Sequence, residues 1–162
     1  MELPVLGFLS PALRSALAEA ARFEADRRAA SYPRAVRDGK LGDDEAHLDW
    51  QAWLAIAGWL RDGRSELIGN PGGAAPRDGE GDREAGAQAI IDWPLLEEAA
   101  ARAHDRLESK ARAIDVASDT GKAEFERLRL RADRIFAIRH YVARQRLWLE
   151  ETNRQIRARE VA

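Results

Sequence analysis

The amino-acid sequence predicts an all-α protein built from two helical hairpins, a four-helix arrangement whose last helix is long. Its 162 residues are 45% hydrophobic and 33% charged, and this length fits one domain or a small domain with an appended helix. Ala and Leu dominate the hydrophobic residues, whereas β-branched and aromatic residues are too few to cover the faces of a sheet. The C-terminal third also carries an uninterrupted seven-residue apolar repeat, which is typical of a long helix packed along other helices.

The first helix is expected to begin at Ser10 and Pro11. A serine before the first helical residue accepts hydrogen bonds from free backbone amides, and a proline at the first position loses no needed bond. Apolar residues then recur at spacings of three and four, which indicates a helix with one buried face. Pro33 is expected to end this helix, because the residue before a proline is pushed out of helical geometry. Gly39 and Gly42 mark the turn that follows.

The second helix is expected from about Asp43 to Leu60, with acidic residues favourably placed at its start. Its apolar residues cover nearly the whole circumference, so it lies either in the centre of a bundle or at an interface. Tryptophan is enriched at tight protein–protein interfaces. The candidate partner interface therefore includes Trp50, Trp53 and Trp59. The alternative, that these tryptophans are ordinary core residues, is favoured.

Residues 64–91 are expected to form a flexible linker. The stretch from Gly69 to Gly86 is rich in glycine and acidic residues and contains no large apolar side chain. Such a stretch cannot recover its ordering entropy by burial. The chain is therefore expected to divide into an N-terminal hairpin over residues 1–63, a linker over residues 64–91 and a C-terminal hairpin over residues 92–162.

The C-terminal hairpin is expected to begin at Asp92 and Pro94, where the third helix starts with a narrow seam made largely of alanine. A short turn at residues 118–121 follows, so the third and fourth helices should be antiparallel neighbours. The fourth helix carries the seven-residue repeat. Its positions are Leu128, Ile135, Val142, Leu149 and Ile156.

The fourth helix is longer than the third helix can cover. Roughly 38 residues would span about 57 Å at ~1.5 Å per residue, several turns more than the third helix. The second apolar row fails after Ile138, where arginines replace it. The simplest explanation is that a second copy of the protein covers the part of the fourth helix that extends past the third helix. The repeat is therefore a candidate coiled-coil interface of a homo-oligomer. The alternative is a solvated tail after about Trp148.

Charge is divided unevenly along the chain. From Gly121 onward there are 11 Lys and Arg against 6 Asp and Glu, whereas the preceding 120 residues hold 15 against 22. Arginine favours bidentate contacts with phosphates, so the fourth helix is also a candidate for nucleic-acid contact. The arginines concerned are Arg127, Arg131, Arg134, Arg139, Arg146, Arg154 and Arg157. Acidic residues interrupt this surface, and arginines bordering an apolar seam are also usual in coiled coils, so a structural role is favoured.

No motif for catalysis, a cofactor or a metal is found in the sequence. The three histidines, His47, His104 and His140, lie in different predicted helices without a second ligand at the spacing of a metal pair. The absence of cysteine excludes disulfides and thiol catalysis and is typical of the reducing cytoplasm. No signal peptide and no membrane-spanning run is expected. The sequence therefore predicts a non-enzymatic protein without a cofactor, a metal or a membrane contact.

The segment from Ser31 to Leu41 contains a Tyr-Pro dipeptide, then an apolar residue next to a cationic one, and then a Gly-Lys turn. The acidic start of the second helix follows this segment. Together with the arginine-rich helix before it, this segment resembles small helical proteins of bacteriophages and prophages, over about residues 20–60. The resemblance implies a phage or mobile-element origin and no activity. We expect an interaction or adaptor protein that binds a protein partner, including a second copy of itself. The alternative is an accessory protein that binds nucleic acid.

Overall fold

The computed structural model describes residues 5–63 and 92–160. A short 3₁₀ turn at Leu6–Phe8 precedes four α-helices, which are α1 (Pro11–Arg37), α2 (Asp43–Asp62), α3 (Trp93–Arg112) and α4 (Asp119–Glu160). No strand occurs in these two parts of the chain, so the predicted all-α class, with two hairpins and a long last helix, is confirmed. The predicted linker, residues 64–91, lies outside the described residues.

Helix α1 begins as expected, since the Ser10 side chain caps its first turn. Its expected end at Pro33 is wrong, because the helix continues to Arg37 with the proline inside it. Proline removes one backbone donor and disfavours helical geometry in the preceding residue. That residue is Tyr32, whose hydroxyl donates a hydrogen bond to Asp49 of α2 (2.5 Å). Tertiary anchoring therefore holds the helix through a position at which local preference would end it.

The turn between α3 and α4 also differs from the expected one at residues 118–121. It covers residues 113–118, because Ser118 caps α4 by accepting a hydrogen bond from the Gly121 amide (3.0 Å). A Cβ atom at Gly121 would lie 1.9 Å from the carbonyl oxygen of Asp115. The glycine that was expected to mark a turn is therefore required for close approach inside the first turn of α4.

Consecutive helices run in opposite directions, because residues near the end of one helix contact residues near the start of the next. The contacts are Arg14–Leu60 and Arg28–Asp49 between α1 and α2, Trp59–Trp93 and Asp49–Arg102 between α2 and α3, and Glu97–Arg146 and Glu108–Arg129 between α3 and α4. The four helices thus form an up-down-up-down bundle. We call the end at which α1 and α3 begin and α2 ends the upper end.

One hydrophobic core includes residues of all four helices and of the 3₁₀ turn. Helix α2 is the most buried of the four, with ten of its 20 residues buried, which accounts for apolar residues around nearly its whole circumference. It ends at Gly63, whose φ of 69° lies in the left-handed region that favours glycine. Helix α2 therefore lies largely within the core, where it packs mainly against α1 and also against α3.

Candidate partner interface

A buried ionic network joins the two hairpins. Arg28 of α1 donates from Nε to Asp49 of α2 (2.5 Å) and from Nη1 to Glu24 (2.7 Å). From the second hairpin, Arg131 of α4 donates to Glu24 (2.5 Å). Arg102 of α3 donates to Asp49 (3.3 Å). Each buried carboxylate thus binds one arginine from each hairpin, so the network favours one way of docking the hairpins together.

Both carboxylates of the network are held in the charged form. Burial alone would raise the pKa of Glu24, but hydrogen bonds and the charges of Arg131 and Arg28 outweigh it and lower the pKa below its ordinary value. Burial likewise opposes the charge on Asp49, and hydrogen bonds from Tyr32 and Arg28 bring its pKa below the ordinary value. The network is therefore fully ionised near neutral pH.

The sequence does contain a signal for this network, although periodicity of apolar residues does not reveal it. Glu24, Arg28 and Tyr32 are spaced four apart and lie on the side of α1 that also buries Ala21 and Ala25. Polar residues at this spacing on an apolar face indicate buried partners on another helix. Which residues supply the partners depends on how the hairpins dock.

The tryptophans of α2 do not form the predicted partner interface. Trp53 and Trp59 are 0% exposed. The ring of Trp59 packs edge-on against Trp93 at 5.2 Å between centroids, and the Arg28 guanidinium lies 4.8 Å from the Trp53 ring. Trp50 is half-buried against the same core. The prediction of an interface is wrong for Trp53 and Trp59, because the position of α2 within the core makes them core residues.

The seven-residue repeat of α4 is mostly covered within the bundle. Ile135 and Val142 are fully buried, and Leu128 and Leu149 are half-buried against the same core. The prediction of a partner interface is wrong for Ile135 and Val142, because the first hairpin and α3 bury both, and it stays a prediction for the half-buried Leu128 and Leu149. Ile156 is the exception at 49% exposed. The repeat therefore continues past the point at which the bundle stops covering it.

Helix α4 extends beyond the upper end. It has 42 residues against 20 for α3, about 63 Å against about 30 Å at ~1.5 Å per residue. Arg146 donates to Glu97 (2.6 Å) close after Trp93, the first residue of α3. Helix α4 therefore passes the start of α3 about one turn after Arg146. We call residues 150–160 the α4 overhang; of these, only Thr152 is not exposed.

Exposed apolar side chains are concentrated at the upper end. Within the described residues eight large hydrophobic side chains are exposed, and four of them lie here. Single exposed apolar residues are common. Leu147 and Ile156 are nine positions apart and therefore point to opposite sides of α4 at ~100° per residue. Phe8 is 88% exposed. We call Phe8, Leu13 and Ile156 the upper-end patch.

The arginines predicted to contact nucleic acid do not share one face. Three of them already bind glutamates, in the pairs Arg131–Glu24, Arg146–Glu97 and Arg154–Glu151. Among the described residues Arg127, Arg134, Arg139 and Arg157 have no ion-pair partner. Arg134 and Arg139 point about 140° apart at ~100° per residue. No continuous row of free arginines runs along α4, so nucleic-acid binding stays a hypothesis without a geometric basis here.

No family model matches the chain, and no curated protein or solved structure is significantly similar to it. The resemblance of residues 20–60 to phage proteins therefore stays a hypothesis. Within residues 5–63 and 92–160, no group of three or more His, Asp or Glu side chains is placed to hold a metal ion. None of the helices in these two ranges has the length and apolar character needed to cross a bilayer.

Proposed function

We propose that this protein is a non-enzymatic interaction protein that associates with a second copy of itself through the α4 overhang and the upper-end patch. The observation that carries the proposal is the exposure of Ile156 on the same row of α4 whose earlier members the core covers. An apolar row that is buried along the bundle and then exposed on a projecting helix is suited to binding a partner.

Charge favours a second copy as the partner. The overhang begins with two acidic residues and carries its basic residues near its end, and three acidic residues balance three basic ones. In order these are Glu150, Glu151, Arg154, Arg157, Arg159 and Glu160. When two overhangs lie antiparallel, the acidic start of each faces the basic part of the other. The pair Arg154–Glu151 within one chain is exposed and weak, so its members can exchange partners.

The size of the interface favours participation of the whole upper end. A stable protein–protein interface buries at least about 1,200 Å² in total, which is more than two short helical segments supply. Each overhang must therefore also lie across apolar residues of the other copy. Phe8 and Leu13 are exposed at the same end of the bundle and are suited to provide that surface. The resulting dimer is reciprocal, with each α4 overhang bound to the upper-end patch of the other copy.

Sedimentation equilibrium of the full chain tests this proposal. We expect a concentration-dependent dimer, and we expect Ile156→Asp to weaken it at least about tenfold, because a carboxylate replaces an apolar contact at the interface. Ile156 is exposed in the single chain, so its replacement should leave the helix content by circular dichroism unchanged.

The matched control is Leu130→Asp, which changes a leucine of the same helix that is 56% exposed and lies away from the upper end. This variant should dimerise like the parent protein. A protein that stays monomeric at high concentration would overturn the proposal. So would a dimer that Leu130→Asp disrupts and Ile156→Asp does not, since this would place the interface in the groove between α1 and α4.

A further inference from the structure

A small cavity between α1 and α3, bordered by Arg131 of α4, has cationic side chains at half of its lining positions. It has a volume of about 130 Å³ and lies beside the buried ionic network. Five positively charged side chains and one carboxylate face it. They are Arg27, Arg28, Arg106, Lys110, Arg131 and Glu24.

Two of these cations are already neutralised and three are not. Arg28 and Arg131 bind the carboxylates of the network. Within the described parts of the chain Arg27, Arg106 and Lys110 have no ion-pair partner, although all three line the same small space. All three side chains are exposed to solvent, and an anion bound in the cavity would lie among positive charges that no carboxylate of the described residues pairs with.

The pKa of Arg27 reflects its surroundings. Partial burial and the positive charges of Arg131 and Arg28 lower this pKa, and they outweigh the opposing effect of Glu24. An anion bound beside Arg27 would act in the same direction as Glu24.

The size of the cavity limits what can bind. It offers the space of about four water molecules at ~30 Å³ each, whereas sites for whole cofactors and drug-sized ligands take about 300–1,000 Å³. Guanidinium groups match the geometry of a tetrahedral oxyanion and bind it with paired hydrogen bonds. We propose that this cavity binds a single phosphoryl group, either as inorganic phosphate or as the terminal group of a small phosphomonoester.

This inference is independent of the proposed dimer. The cavity lies among α1, α3 and α4 within one chain, and it includes no residue of the upper-end patch or the α4 overhang. A protein that binds phosphate as a monomer would support the anion site and contradict the dimer. A protein that forms the dimer and does not bind phosphate would support the dimer and contradict the anion site. The two proposals can therefore fail separately.

Thermal unfolding and isothermal titration calorimetry of the full chain test the site with inorganic phosphate, phosphoserine and chloride at equal ionic strength. We expect phosphate to raise the melting temperature in a saturable manner that chloride does not reproduce. Arg106→Gln should weaken phosphate binding at least about tenfold, since it removes a charged donor from the site. Phosphoserine binding as tightly as phosphate would identify the phosphomonoester as a ligand, and weaker binding would identify the free anion.

The control is Arg112→Gln, which removes an exposed arginine from the same helix outside the cavity. This variant should bind phosphate like the parent protein. The proposal is overturned if phosphate and chloride act alike. It is also overturned if the two arginine variants lose affinity equally, because binding would then reflect general surface charge.

Discussion

Replacing Asp49 by Asn is expected to lower the free energy of unfolding by about 3–5 kcal/mol, because it removes one of the two carboxylates of a buried ionic network and leaves Glu24 alone to balance the arginines of that network. Arg28 donates to Asp49 at 2.5 Å, and both side chains are less than 10% exposed. The substitution keeps the shape of the side chain, so it tests the charge rather than the packing. Urea denaturation followed by circular dichroism measures the change.

The same variant should alter how stability depends on pH. The pKa values of Asp49 and Glu24 lie below their ordinary values of 3.8 and 4.5 in the folded protein. Their contribution to stability is therefore complete above the ordinary values and is lost as the pH falls through the lower values of the folded state. The parent protein should lose stability steeply on acidification below about pH 4. Asp49→Asn should show a shallower slope there.

An exposed pair of the same chemistry provides the control. Arg22 and Asp26 form an ion pair whose side chains are each 60% exposed. Exposed pairs of this kind contribute about 0–1 kcal/mol, so Asp26→Asn should change stability by no more than that. Equal losses for Asp26→Asn and Asp49→Asn, or an unchanged pH slope in Asp49→Asn, would show that the buried network does not stabilise the fold.

Replacing Trp59 by Ala is expected to destabilise the protein by about 3–5 kcal/mol, because it opens a cavity in the core. Trp59 is fully buried and packs edge-on against Trp93. Among the described residues its indole nitrogen has no hydrogen-bond partner, so the whole loss comes from packing. Urea denaturation again measures the change, and near-ultraviolet circular dichroism reports on the packing of Trp93.

Trp50→Ala is the matched control in the same helix. Trp50 is only half-buried, at the edge of the core, so its loss should be well below that of Trp59. If Trp59→Ala left stability unchanged and instead abolished self-association, Trp59 would be an interface residue and its place in the core would be incorrect. The two substitutions thus distinguish the two roles that the tryptophan-rich helix suggested.

The starts of α1 and α3 were predictable because they depend on local chemistry. Ser10 before a proline and Asp92 two residues before one both cap the helices that they were expected to begin, with side chains that accept backbone hydrogen bonds. The seven-residue repeat likewise revealed the long last helix, since a single helix accounts for such a row. These features need no knowledge of what the helix packs against.

Features that depend on docking were not predictable from the sequence. Pro33 was expected to end α1, but a hydrogen bond from Tyr32 to another helix holds the chain in helical geometry. The repeat of α4 showed that a row of residues is buried without showing what buries it, so a partner was assigned to residues that the first hairpin helps to cover. Ile156 is the most exposed position of the repeat and the one on which the proposed self-association is tested.

The ionic network also bears on how quickly the protein folds and unfolds. Glu24 and Arg131 are 107 positions apart in the sequence. The two helices of each hairpin, in contrast, are joined by a short turn. Local contacts form early because they close short loops, so we expect the hairpins to form first and to dock late. Arg131→Gln should then speed unfolding in stopped-flow experiments and leave the folding rate nearly unchanged. The contact between Glu24 and Arg131 would thus govern the lifetime of a folded molecule rather than the time needed to fold.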